Sequence, residues 1–407
     1  MQPRSDNVTG GTEACVPMAS LPAGRSRYQR LVLVLPFLLS CTAAPTLDEQ
    51  QERIDSFVAQ GGYRGSRNLD VVSLRETWLH DRDRLDVSLL LPQRAGRSPL
   101  ILYMAGLGED AEAGYFWRQA WAQGGYAVVS VQPVAVSRAL DFSGRLRSGD
   151  LREVGRRFFS PTFREQRVAH VVWAFAELCR RSRSQMSLLS AVDLNRVALA
   201  GFDLGAQTVM WLASEADSTA DKRPDSLSPR AAIVLSPYYP ITDDGFANRR
   251  LKVHIPLLSV TGREDEDPYG ITPVPVRTFL WKELPHGEKF QLLLRRGRYA
   301  TLAGSAAGWD PSDQRRFDPS GRAPGDESGS RAAGSAPAPG QSGGPGDRAP
   351  DVGGGHVRRP DYREVAIVRS ISLAFLDFAV KGRSDALSWL QQDAAFWIGR
   401  SGTLMHR

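Results

Sequence analysis

The sequence predicts an α/β domain: a mostly parallel central sheet flanked by helices and interrupted by one long disordered loop. Three observations predict it. Continuous apolar runs such as PLILYMAG (99–106), RVALAGF (196–202) and AAIVLSP (231–237) read as strands buried on both faces. Helix-period segments separate these runs, and such alternation implies parallel strands joined by crossovers. Residues 304–360 are almost wholly Gly, Pro, Ala, Ser, Arg and Asp, a composition that cannot bury enough apolar surface to offset the entropy of ordering.

Residues 42–68 read as a linker with a short helical pattern over Leu47–Gln60. Two strand-like runs follow, Asp70–Leu79 and Leu85–Leu91, separated by the charged turn HDRDR. Helix AGYFWRQAWAQGG (113–125) ends at glycine, and YAVVSVQP (126–133) is the next strand. Ser160-Pro161 has the form of a helix start, with Ser as N-cap and Pro in the first turn, leading into TFREQRVAHVVWAFAELCRR. LGAQTVMWLASEA (204–216) and VPVRTFLWKEL (274–284) read as helices, IPLLSVTG (255–262) and FQLLLRRGRY (290–299) as strands. Periodicity resumes at Tyr362 with YREVAIVRSISLAFLDFAVKG, then DALSWLQQDAAFWIG. One domain is therefore expected, built from 69–303 and 361–407.

The chain has 407 residues and a formal charge of +6, from 51 basic and 45 acidic side chains. The basic excess is scattered and lacks interleaved aromatics, so no nucleic-acid partner is expected. The cysteines, Cys15, Cys41 and Cys179, show no paired spacing, and neither a metal site nor a cofactor motif is apparent. Cys179 lies in an apolar helical pattern and reads as a small buried hydrophobe.

Residues 25–41, RSRYQRLVLVLPFLLSC, combine Arg25, Arg27 and Arg30 with the apolar run Leu31–Leu39. That run is too short to span a bilayer and reads as a signal sequence. Its end, Leu38-Leu39-Ser40-Cys41, resembles the lipobox of bacterial lipoproteins. The resemblance implies that 1–41 is an N-terminal extension and signal peptide. It further implies that Cys41 is lipidated and that the chain is held to a bilayer in the cell envelope, at the outer membrane facing the periplasm.

The stretch VALAGFDLGA (197–206) sets strand, Gly201-Phe202-Asp203-Leu204-Gly205 and helix in succession. This is the G-x-nucleophile-x-G elbow, whose glycines are required because the turn is tight. Together with PLILYMAGLGEDAEAGYFWRQAWAQGGYAVVSVQP, RAAIVLSPYY and IPLLSVTGREDEDP, it resembles the α/β-hydrolase superfamily, in its dienelactone-hydrolase-like and platelet-activating-factor-acetylhydrolase-like branch. The resemblance implies a carboxylic-ester hydrolase without cofactor, acting on a small ester-like molecule. It implies oxyanion donors at Leu107 and Leu204 and a triad acid at Asp265, with Asp267 as a neighbouring alternative. It also implies pocket walls from Phe116–Trp121, Val136–Phe159 and Pro237–Phe246.

The sequence departs from that pattern at two positions. Asp203 replaces the nucleophilic serine, and Tyr299 of GRYATLAG (297–304) falls in or beside the histidine slot. Ala105-Gly106-Leu107-Gly108 replaces the family's His-Gly-Leu-Gly. An elbow Asp serves as nucleophile in dehalogenases and epoxide hydrolases, but its ester intermediate needs an activated water, and Tyr with an ordinary pKa of about 10 is a poor base. His356, in GGGHVRRPDY, is an alternative base. His170 reads as structural. Three functions therefore stand: an ester hydrolase, an Asp-nucleophile hydrolase, or a catalytically inactive protein that binds a ligand or an envelope partner, the last through 304–360.

Overall fold

A computed structural model describes residues 46–65, 68–94, 96–140, 148–184, 187–215, 226–238, 252–305 and 361–407. The expectations for 1–41, Cys41, 306–360 and His356 lie outside the described residues. So does part of each of the last two expected pocket walls.

The sheet has nine strands in the order β1-β2-β4-β3-β5-β6-β7-β8-β9. They are β1 (Val71–His80), β2 (Asp83–Pro92), β3 (Ser98–Met104), β4 (Ala127–Pro133), β5 (Val192–Phe202), β6 (Pro229–Leu235), β7 (Leu257–Glu264), β8 (Lys289–Arg298) and β9 (Gly402–His406). The six strands β4-β3-β5-β6-β7-β8 pair parallel. The β1-β2 hairpin joins one edge antiparallel and β9 closes the other. The fold is thus mixed α/β with a mostly parallel sheet flanked by helices. β9 was not expected: its five residues are too short and too polar for strand periodicity to register.

Alternation along β3 divides the core. Ile101 and Tyr103 face one layer with Trp117 and Trp121 of α2 (Tyr115–Gln123) and Phe375 of α9 (Tyr362–Ala379). Leu100, Leu102 and Met104 face the other, with Phe175 of α5 (Pro161–Ser182), Val209 of α6 (Leu204–Glu215) and Leu280 of α7 (Val274–Glu283). Trp117 and Trp121 are therefore core, not pocket wall. The expected linker contains α1 (Leu47–Ala59), started by a Thr46–Glu49 capping box. Ile54 of α1 is in the core, and Phe57 packs on Trp397 at 5.0 Å, so this segment belongs with the domain.

Local chemistry shifts other boundaries. Ser160 precedes α5, but its hydroxyl donates to Arg157 O at 2.7 Å and does not cap. The last helical run breaks at Asp393 into α10 (Ser384–Gln392) and α11 (Ala394–Ile398). Among the described residues no helix is long and apolar enough to cross a membrane.

Asp377 of α9, fully buried, ties this layer together. Its carboxylate accepts from the Tyr63 hydroxyl at 2.8 Å and the Tyr126 hydroxyl at 2.9 Å, and pairs with Lys381 at 2.8 Å. Asp377→Ala strands one ammonium and two hydroxyls, so it is expected to cost about 3–5 kcal/mol. Urea denaturation checks this, and a loss below about 1 kcal/mol would mean that water satisfies the network.

Candidate functional site

The site lies at the carboxyl edge of the sheet, where β5 turns into α6. The turn is sterically exacting. A Cβ on Gly201 would lie 2.6 Å from the Gly205 backbone, and one on Gly205 would lie 2.0 Å from Met104 O. The chain passes only by putting Asp203 at φ 51°, in the left-handed region. Asp tolerates that region better than most side chains because its short polar group bonds locally. Backbone bonds from Asp203 N to Leu235 O (3.0 Å) and from Gln207 N to Asp203 O (3.2 Å) fix the turn.

Asp203 is 2 % exposed. Its carboxylate lies across the two amides expected as oxyanion donors: Leu107 N–H donates to Oδ2 at 3.5 Å, and the Leu204 N–H also bonds it. The Tyr299 hydroxyl bonds the same carboxyl and also contacts the Tyr269 hydroxyl. Tyr269 donates onward to Leu107 O at 3.1 Å. Tyr299 has a single proton for two neighbours, so the direction of this chain depends on whether Asp203 is charged. Asp203, Tyr299, Leu107 and Leu204 thus lie together at this turn.

Asp265 sits deeper, without solvent exposure. It accepts from Ser236 Oγ and from Thr261 Oγ1, each at 2.7 Å, and faces Arg277 at 3.8 Å. Arg277 also donates to Ser236 O at 2.7 Å and to Ser236 Oγ. Asp265 is therefore bound up within the protein and, among the described residues, orients no base. Asp267 is a turn cap, accepting from the amides of Tyr269, Ile271 and Thr272.

Burial pushes the Asp203 carboxyl up to about 7; Asp267 adds to the push, while Arg277, Tyr299 and the Leu204 amide oppose it. The like charge that acts on Asp203 is that of Asp267, while Asp265 faces Arg277. Burial also raises Asp265. Glu109 is a second carboxyl of the site, pushed up to about 8 by desolvation and by its proximity to Asp203 and Asp110. Its Oε2 accepts from Gly106 N at 2.8 Å, which holds the loop that carries Leu107.

Aromatics roof the site. Phe159 stacks on Tyr238 at 4.6 Å and lies 5.9 Å from Tyr269. They cluster with Val136, Phe158 and Leu204. Arg167 of α5 pins this roof by donating to Phe158 O at 2.6 Å and to Gln207, whose amide donates to Phe159 O at 3.0 Å.

The described histidines are elsewhere. His170 contacts Asp83 at 3.0 Å, His406 contacts Glu288, His286 contacts Arg407, and none hydrogen-bonds to Asp203, Asp265 or Tyr299. Among the described residues no cluster of His, Cys, Asp or Glu could hold a metal. Sequence reasoning missed Glu109, Tyr269 and Arg277. An arginine within the apolar run VPVRTFLW was the available signal for Arg277, because a cation on a core-facing helix needs a buried partner. No family model matches this chain, and no curated protein matches it.

The raised pKa has a sign. The folded protein holds the Asp203 proton up to about 7, while the unfolded chain releases it near the ordinary 3.8. The neutral carboxyl is therefore a stabilising feature at low pH, lost as pH rises from about 4 through 7. Asp203→Asn keeps the shape without the titration. Its stability relative to wild type is expected to rise by up to roughly 4 kcal/mol between the ends of that window. Urea denaturation at a series of pH values reads the difference, and a pH-independent gap would show that the carboxyl is well solvated.

Proposed function

We propose that this is an α/β-hydrolase-fold domain whose elbow binds a small ester-like ligand and does not hydrolyse it. The fold assignment is supported by an elbow at the end of a central parallel strand, one candidate oxyanion amide just after the elbow residue and another in the loop after β3. The observation that carries the binding function is that Asp203 itself occupies both amides. An oxyanion hole must hold its donors about 2.7–3.1 Å from a substrate oxygen, and here a carboxylate of the chain lies there instead. A carboxylate attacking an ester also forms a mixed anhydride and lacks the proton transfer that a Ser–His pair supplies. In its neutral form, Asp203 is a hydrogen-bond donor suited to a ligand carbonyl, beneath the aromatic roof of Phe159 and Tyr269.

Residues 42–407 are expected to leave short-chain p-nitrophenyl esters, haloalkanes and epoxides unturned. Asp203→Ser should fold normally and vacate both amides. Turnover by wild type that Asp203→Ala abolishes, or a covalent adduct on Asp203 seen by intact-protein mass spectrometry, would instead assign an Asp-nucleophile hydrolase, with His356 the first base to test.

We also propose that the protein is an envelope lipoprotein anchored through Cys41, on the strength of the basic and apolar segment ending Leu38-Leu39-Ser40-Cys41. Residues 304–360 would then serve as the tether or contact for an envelope partner. Mass spectrometry of membrane-extracted protein should find acyl chains on Cys41, and Cys41→Ser should move the protein to the soluble fraction. An unmodified Cys41 in a processed protein would refute the anchor.

A further inference from the structure

At the end of the loop that carries Leu107, a buried arginine lacks a counter-ion. Arg118 of α2 is 2 % exposed. Its Nη2 donates to Ser88 Oγ at 2.7 Å and its Nη1 to Ala113 O at 3.4 Å, while its Nε has no partner. Among the described residues no carboxylate pairs with it. The acids of the adjoining loop are committed elsewhere: Glu109 accepts from Gly106 N, Asp110 from the Glu112 amide at 2.8 Å, and Glu112 pairs with Arg75. Asp110 is exposed and attracts the guanidinium without an ion pair. A cation buried this deeply without a bonded counter-charge is strongly destabilising.

Two more unspent polar groups lie beside it. The sheet register sets Ser130 of β4 next to Tyr103 of β3 on one side and Ser88 of β2 on the other. All three face the α2 layer, because Tyr103 itself, Val128 and Leu90 at alternating positions belong to that layer. The Tyr103 hydroxyl reaches the start of α2, so close to Gly114 that a Cβ there would collide with it. Arg118 returns to the same place from the next turn of α2 through Ala113 O. Tyr103, Ser130, Ser88 and Arg118 therefore close a ring between sheet and helix. The Tyr103 and Ser130 hydroxyls are fully buried and, like Arg118 Nε, have no partner. The unspent set is thus one cationic N–H and two hydroxyls free to turn their hydrogens inward. Donors gathered around an uncompensated positive charge suit an anion.

We propose that this ring is an internal binding site for a halide-sized monovalent anion such as chloride, held by Arg118 Nε and the hydroxyls of Tyr103 and Ser130. Enclosure sets the size: the ring has no exposed member, and its room comes from two short serines standing between the larger Leu90 and Val128. The anion neutralises Arg118 and so secures α2 against β2 and against the end of the loop at Ala113. This site does not depend on the function proposed for the elbow.

Scanning calorimetry of the full chain, with sodium chloride exchanged for sodium gluconate at fixed pH and ionic strength, tests the proposal. Chloride is expected to raise Tm saturably, by about 2 °C or more. Tyr103→Phe and Ser130→Ala each remove one donor with little change of shape, and each should weaken chloride binding by about fivefold. Arg118→Met should abolish the response; if that variant does not fold, the two donor variants still decide. Asp203→Asn should leave the response unchanged. Anomalous diffraction from crystals grown in sodium bromide should place a bromide beside Arg118 Nε. Three results would overturn the site: equal Tm in the two salts, a chloride response undiminished in both donor variants, or a water in place of bromide at Arg118.

Discussion

The approach of α6 to β3 constrains everything else at the carboxyl edge. Met104 O lies so close to Gly205 that no side chain fits between them, and Gly201 meets the same backbone from the strand side. With both neighbours reduced to glycine, the chain reverses within one residue. That residue takes a positive φ and points its side chain back under the loop after β3. Asp203 is thus buried by backbone geometry before any side-chain chemistry enters. Its burial is what lifts its proton affinity into the neutral range, and the same burial brings it onto the Leu107 and Leu204 amides. Steric closure, strain and electrostatics at this site have one origin.

The polar groups that surround Asp203 answer to its charge. Arg277 draws the carboxyl toward ionisation but is shared with Asp265 and Ser236, so its compensation is partial. Tyr299 and Tyr269 carry a short hydroxyl chain from Asp203 to Leu107 O, and Glu109 holds the other side of the same loop. Each group is satisfied mainly by another part of the chain. A site prepared for turnover keeps donors free for charge that develops in the transition state. Here the Leu107 and Leu204 amides already face a carboxylate.

Much of the fold was legible in the sequence because its signals are local. The two-sided apolar runs of β3, β5, β6 and β7 and the glycines of the elbow appear in the structure where the sequence puts them. Where expectation failed, a non-local contact had decided the outcome. α1 looked like part of a polar linker because a helix with one apolar stripe is mostly polar by composition, and Ile54 acquires its meaning only against α9. Trp117 and Trp121 read as pocket wall because large aromatics serve both purposes, and only the sheet's alternation assigns them to the core. Within the site, Asp203 was legible from the glycine-flanked turn, and Tyr299 and the two amides were named only through the resemblance. Glu109, Tyr269 and Arg277 were not, since their roles come from folding three separate segments onto one carboxyl.

An aspartate at this turn then has a definite physical consequence. A serine hydroxyl does not titrate near neutrality and, without a histidine, would stay an unactivated alcohol. A buried aspartate whose pKa lies near 7 changes charge within the neutral range. When neutral it can donate a hydrogen bond; when charged it only accepts, as from the Leu107 and Leu204 amides and Tyr299. The roof above it is coupled to the same turn, because Gln207 lies one helical turn after Asp203 and binds Phe159 O and Arg167.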